Sequence, residues 1–169
     1  VNLFKGIIKM ILDSLILQTK LLLQEDMKLE IVNLETIRAD YETLTLKEFT
    51  SMIGVGGKIK LMAVISFDVN LLNKLVSIFM DGEEVAQDEV DEIRESVTGE
   101  VINTILGLSL PTFPNRGKGI TITPPITINE ASVLKKHKNS RIVSVNITTN
   151  FGTVSIRSEE RRVGKECSG

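Results

Sequence analysis

The sequence is poor in the residues from which most autonomous active sites are built. Its 169 residues include one cysteine, one histidine and no tryptophan, and aromatic residues make up 4% of the chain. One cysteine excludes a disulfide framework, and one histidine leaves no pair of imidazoles for a metal centre. We therefore expect no metal or cofactor site of its own, and we interpret His137 as a solvated residue of a basic loop.

An excess of positive charge is also missing. The chain has 20 lysines and arginines against 22 aspartates and glutamates, which gives a formal net charge of −2 at pH 7. Binding to nucleic acid needs lysines and arginines clustered on one face, so neither DNA nor RNA is an expected partner. With 42% hydrophobic residues, a chain of this length is expected to bury one core and to form one globular domain.

No hydrophobic run is sufficiently free of charged residues to be a membrane span. The most apolar stretch, residues 3 to 23, is interrupted by Lys5, Lys9, Asp13 and Lys20. Each of these charges would cost roughly 2.5 to 3.5 kcal/mol at the centre of a bilayer. We expect no membrane partner, and the cytoplasm is the expected compartment.

The end of the sequence needs a separate interpretation. Residues 157 to 169 resemble the in-frame translation of a common sequencing adapter. We therefore expect a functional domain over residues 1 to 156 and no function for residues 157 to 169, which include the only cysteine, Cys167.

Helical and strand patterns alternate along the rest of the chain. Apolar residues between Leu3 and Ile16 recur at helical spacing, and a strand is predicted from Leu29 to Leu34. Short β-prone runs on both sides of Gly56-Gly57, and again on both sides of the turn at 150–152, predict two hairpins. The alternation predicts an α+β fold, in which long helices cover an antiparallel or mixed sheet.

Two further helices are predicted between the hairpins. The second begins at an N-cap, Asp68, and ends at Asp81-Gly82. Its predicted inward positions are Val69, Leu72, Leu75, Val76 and Phe79. The third is predicted from an N-cap at Asp88 to Leu106, where Gly107 and Pro111 stop it.

The third helix carries a set of polar and small residues opposite its predicted core side. At 100° per residue, its core side is predicted to hold Val90, Ile93, Val97, Val101 and Ile105. The opposite side then holds Glu92, Ser96, Gly99, Glu100 and Asn103. A glycine inside a helix costs about 1 kcal/mol relative to alanine, so Gly99 beside the small Ser96 indicates close approach of another chain. The alternative is that Glu100 and Asn103 are ordinary solvent-facing residues and that the glycines serve helix packing.

The pattern Ser96-x-x-x-Glu100-x-x-Asn103, with Gly99 and Gly107 beside it and Pro125 further on, resembles the signature of the CheC/CheX/FliY chemotaxis phosphatases. The resemblance extends over most of residues 2 to 156 and implies a CheC-like fold. Only one copy of the motif is present, as in CheX-like members, which implies a homodimer with one site per protomer. Pro124-Pro125 is interpreted as a strand break.

The resemblance also implies a substrate, the aspartyl phosphate of a CheY-like receiver domain, which supplies its own Mg²⁺ and lysine. A neutral carboxamide can bind the attacking water without repelling the phosphoryl group, so we expect Asn103 to orient that water. Glu100 is expected to pair with the receiver's lysine, and Ser96 and Gly99 to leave room for the receiver. Two alternatives remain: a module that binds the receiver without hydrolysing its phosphate, and a structural part of a flagellar switch.

Overall fold

A computed structural model describes residues 2–39, 43–45, 49–57, 61–128, 133–135 and 140–161 of the chain. Its helices are α1 (Asn2–Leu21), α2 (Val69–Phe79) and α3 (Val90–Ser109). Its strands are β1 (Ile31–Ala39), β2 (Thr43–Thr45), β3 (Phe49–Gly57), β4 (Leu61–Phe67), β5 (Ile120–Ile122), β6 (Ile126–Ile128), β7 (Val133–Lys135), β8 (Ser140–Thr149) and β9 (Gly152–Arg161). The predicted α+β class is confirmed.

The main sheet has the strand order β1-β8-β9-β4-β3-β5, and β6 also pairs with β3. Strands β2 and β7 form a separate pair. Each pairing among the described strands is antiparallel. Alternate residues of β3, β4, β8 and β9 share one hydrophobic core with all three helices. Because successive side chains of a strand point to opposite faces, the helices lie together on one face of the sheet.

Helix α1 buries the apolar stripe that the sequence predicts. Ile8, Ile11, Leu12 and Leu15 are buried, while the side chains of residues 3 and 4 lie outside the described residues. The helix passes into a π-helical turn, Leu22–Asp26. The predicted strand that follows starts two residues later than expected and continues to Ala39. Among the helices that the structure describes, none combines the length and the hydropathy of a membrane span.

Both predicted pairs of strands are confirmed, as β3–β4 and β8–β9. The predicted turn at Gly56-Gly57 is wrong, because both glycines lie within β3 and pair with β5. Gly57, at the end of β3, has φ = 116°, and a Cβ there would collide with the carbonyl oxygen of Gly119. Strands β5 and β6 both pair with β3 and are separated by Pro124-Pro125, which confirms the predicted strand break. Proline lacks the N–H that a continuous ladder would need.

Strand β9 continues past the predicted domain boundary. It runs to Arg161, so residues 157 to 161 pair with β4 and β8 in the structure. The adapter origin of residues 157 to 169 stays a prediction. The interpretations of His137 and Cys167 are not tested, because both residues lie outside the described residues.

Helix α2 has the predicted bounds, and four of its five predicted inward residues face the core. Asp68 holds the N-cap position, and its carboxylate accepts a hydrogen bond of 2.8 Å from the backbone N–H of Thr153. Leu71 is fully buried beside Leu72 and Leu75, whereas Phe79, which we expect to face inward, is 40% exposed. Val69 and Val76 are partly buried and pack against the core, so the prediction is wrong for Phe79 alone and lacks Leu71.

Candidate functional site

Helix α3 differs from the prediction at both ends. It begins at Val90 with Glu89 as its N-cap, because Asp88 belongs to a turn closed by a 3.0 Å hydrogen bond from the Glu89 N–H to the Ala86 carbonyl. It continues through Gly107 to Ser109 and then tightens into a 3₁₀ segment that contains Pro111. An isolated glycine weakens a helix but does not end it, whereas proline removes a donor.

The inner side of α3 is packed into the core. Val97, Val101 and Ile105 are buried as predicted. Thr98, Ile102, Leu106 and Ser109 are buried as well. Ile93 is half-buried and packs against the core as predicted, whereas Val90 is half-buried and does not belong to the core cluster. Beside Ile93, the guanidinium of Arg94 lies 5.8 Å from the centre of the Phe49 ring.

Arg94 links the first half of α3 to neighbouring residues, a role that the sequence pattern did not predict. Its Nε donates to Asn73 Oδ1 of α2 at 2.9 Å, and its Nη1 lies 3.1 Å from Asp91 Oδ1. A signal was present, since Arg94 is the one basic residue between positions 81 and 95, among eight acidic ones. A single cation among many carboxylates is expected to contact several partners at once.

The outer side of α3 displays the residues of the predicted motif. Ser96, Glu100 and Asn103 are exposed, and Gly99 is half-buried. Their spacing places Ser96, Glu100 and Asn103 on one line, with Cβ atoms of neighbouring members about 5 to 6 Å apart. Within the described residues, the Glu100 and Asn103 side chains make no hydrogen bond or ion pair. Both groups are therefore available to another molecule.

Gly99 is not explained by packing within the described chain. Apart from the adjoining residues and the backbone of its own helix, a Cβ added at Gly99 would meet no atom within 4 Å, and the same holds at Gly107. The helix-packing alternative for these two glycines therefore has no support among the described residues. Together with Ser96, Gly99 leaves a shallow open notch beside Glu100 on the helix surface.

Two carboxylates lie at the start of α3, before the motif. Asp91 and Glu92 lie in its first turn, where negative charge stabilises the positive end of the helix dipole. Thr104 Oγ1 donates to the Glu100 carbonyl oxygen at 2.9 Å. Among the described residues, no group of three or more histidines, cysteines, aspartates and glutamates could hold a metal ion. What the motif offers is one free carboxylate and one free carboxamide.

Comparison with known proteins gives this geometry a context. Residues 49–148 match a protein-family model described as chemotaxis phosphatase CheX. A search of the curated proteins found no match. Similar solved structures include CheX of Desulfovibrio desulfuricans, with 15% identity, a TM-score of 0.72 and coverage of 88% of this chain and 97% of that chain.

Two other solved structures share the fold. A CheC-like superfamily protein from Shewanella has 20% identity and a TM-score of 0.66, with coverage of 90% of this chain and 96% of its own. The CheX–CheY–BeF₃–Mg²⁺ complex from Borrelia burgdorferi has 16% identity and a TM-score of 0.64, with coverage of 89% and 97%. The sheet with its helical layer thus defines a CheX/CheC-like α+β domain. Since the family model matches more than half of its residues, the chain belongs to the chemotaxis phosphatase CheX family.

The open surroundings of Gly99 predict a gain in stability when a methyl group is added. Gly99→Ala is expected to raise the free energy of unfolding by about 0.5 to 1 kcal/mol, because alanine restricts the unfolded chain and meets no neighbour. Urea denaturation measures this change. Gly107→Ala, in the same helix and equally open, is the matched control and should give a similar gain. A loss of stability at Gly99 alone would contradict the open notch.

Proposed function

We propose that this protein removes the phosphoryl group from the aspartyl phosphate of a CheY-like response regulator and so ends a chemotaxis or related two-component signal in the cytoplasm. Helix α3 would enter the receiver's active site with its outer line. The observation that carries the proposal is that Glu100 and Asn103 are exposed and unpaired among the described residues, on a helix whose other side is locked into the core.

Asn103 has the chemistry to orient the attacking water. In-line hydrolysis of a phosphoryl group needs positioning and charge stabilisation more than covalent help from the protein. A carboxamide donates and accepts hydrogen bonds without charge, so it can hold a water beside an anionic phosphoryl group. The water's oxygen would bond to phosphorus as the bond to the receiver's aspartate oxygen breaks, which releases inorganic phosphate and a free carboxylate.

Glu100 is suited to docking the helix. A carboxylate would repel the phosphoryl group in a poorly solvated cleft unless a cation neutralised it, so Glu100 should meet the receiver's lysine. Ser96 and Gly99 would leave space for the receiver's backbone. The Mg²⁺ of the reaction would belong to the receiver; the Borrelia complex, in which CheX is bound to CheY with BeF₃ and Mg²⁺, supports this division.

A homodimer is part of the same proposal. Among the described strands, β1 forms one edge of the main sheet, and Val32 and Leu34 on it are 55% and 41% exposed. An edge with unpaired backbone groups and apolar side chains favours pairing with a second chain. Light scattering on the full chain is expected to give twice the monomer mass, and a monomer at micromolar concentration would contradict the dimer.

Replacement of Asn103 tests the catalytic role. Asn103→Ala is expected to slow dephosphorylation on the order of 10²-fold, the usual scale for one positioned polar group, without unfolding the protein. Release of phosphate from a phosphorylated receiver measures the rate. Asn70→Ala, which removes an exposed asparagine from α2, is the matched control and should retain full activity. Equal rates for the wild type and Asn103→Ala would overturn the assignment, whereas binding without acceleration by the wild type would indicate a receiver-binding module.

Replacement of Glu100 tests the docking role. Glu100→Gln keeps the shape of the side chain and removes its charge, so the receiver concentration at half-maximal rate should rise by about tenfold, as expected for loss of a charge pair worth about 1.4 kcal/mol. Glu83→Gln removes another exposed carboxylate, before α3, as a control. If both variants behaved alike, the effect of Glu100 would be one of overall charge and not of a specific pair.

A further inference from the structure

Helix α1 carries a second apolar row, on the side away from its buried stripe. Met10, Leu17 and Leu21 are 50%, 50% and 40% exposed. Their spacings of seven and four residues place them on one side of the helix. The inward stripe predicted for this helix does not account for the row.

The row belongs to the same surface of the molecule as the motif of α3. Helices α1 and α3 lie on the same face of the sheet and pack against each other. The sides of both helices that point away from the sheet therefore form one continuous outer layer. Resting on the proposed function, we propose that Met10, Leu17 and Leu21 are the docking surface on which the receiver domain lies while α3 enters its active site.

The area of a typical protein interface supports a receiver domain that covers both α1 and α3. A specific protein complex buries about 800 Å² on each partner, and a line of three polar side chains with a glycine cannot supply that area. Methionine and large apolar side chains are typical of the centres of such interfaces, with polar groups at the rim. The α1 row supplies the apolar part beside the polar line of α3.

The composition around the row favours a transient partner over a second copy of this chain. Lys9 and Asp13 form an exposed ion pair of 2.8 Å on the same outer side of α1. Permanent dimer interfaces resemble a protein core cut in half, with few charges. An apolar row interspersed with charged side chains matches a complex that forms and separates, as a substrate complex must.

The experiment compares affinity with rate. The double variant Met10→Ser/Leu17→Ser is expected to raise the receiver concentration at half-maximal rate by about tenfold and to leave kcat unchanged, because the row contacts the receiver away from the phosphate. Direct titration with a CheY-type receiver loaded with BeF₃ and Mg²⁺ should show the same loss of affinity. Ile126→Ser is the matched control: it is 65% exposed and pairs with Met52, on the sheet face opposite the helices.

The outcomes separate this inference from the proposed function. An unchanged half-maximal concentration in the double variant, with Asn103→Ala still defective, overturns the docking row alone. Wild-type activity in Asn103→Ala, with weakened binding in the double variant, overturns the catalytic assignment alone. A fall in molecular mass by light scattering, confined to the double variant, shows that the row holds a second copy and overturns the inference. The inference that the row docks the receiver is also overturned if the receiver loaded with BeF₃ and Mg²⁺ does not bind the wild type.

Discussion

The burial of one side of α3 is the constraint on which the proposed site depends. Val101, Ile102 and Ile105 are at most 1% exposed, and Arg94 fixes the preceding turns through Asn73 and Phe49. A helix held in this way cannot rotate about its axis without exposing its apolar side chains, at a cost of about 1.5 to 3 kcal/mol for each. The direction of Glu100 and Asn103 is therefore set by residues that would never touch a substrate.

Much of this arrangement could be predicted because its causes are local. The period of apolar residues gave the three helices, and paired β-prone runs around glycines gave the two hairpins. Placing the residues of α3 at 100° intervals around the helix axis separated Ser96, Glu100 and Asn103 from the core, because this rotation per residue is a property of any α-helix. These predictions needed no knowledge of which elements pack together.

The errors arose where tertiary contacts decided the outcome. Asp88 looks like a helix cap in isolation, yet a turn from Ala86 to Glu89 uses that part of the chain. In α2, packing buries Leu71 and leaves Phe79 40% exposed, which periodicity alone did not decide. The sequence marks Arg94 as a lone cation, but its partners Asn73 and Phe49 come from other elements and could not be identified from the sequence. Contacts of this kind are visible only once the sheet and the helices are placed together.

The place of β9 in the middle of the sheet has a consequence for how the protein is made. β9 joins β8 to β4, and Thr153 at its start bonds to Asp68, 85 positions earlier in the chain. Contacts between such distant residues form late, because a long loop must close first. During synthesis, α3 is therefore complete before β9 can fill its place in the sheet on which the helices pack. A nascent chain thus exposes its helices to chaperones before it can present a finished surface to any signalling partner.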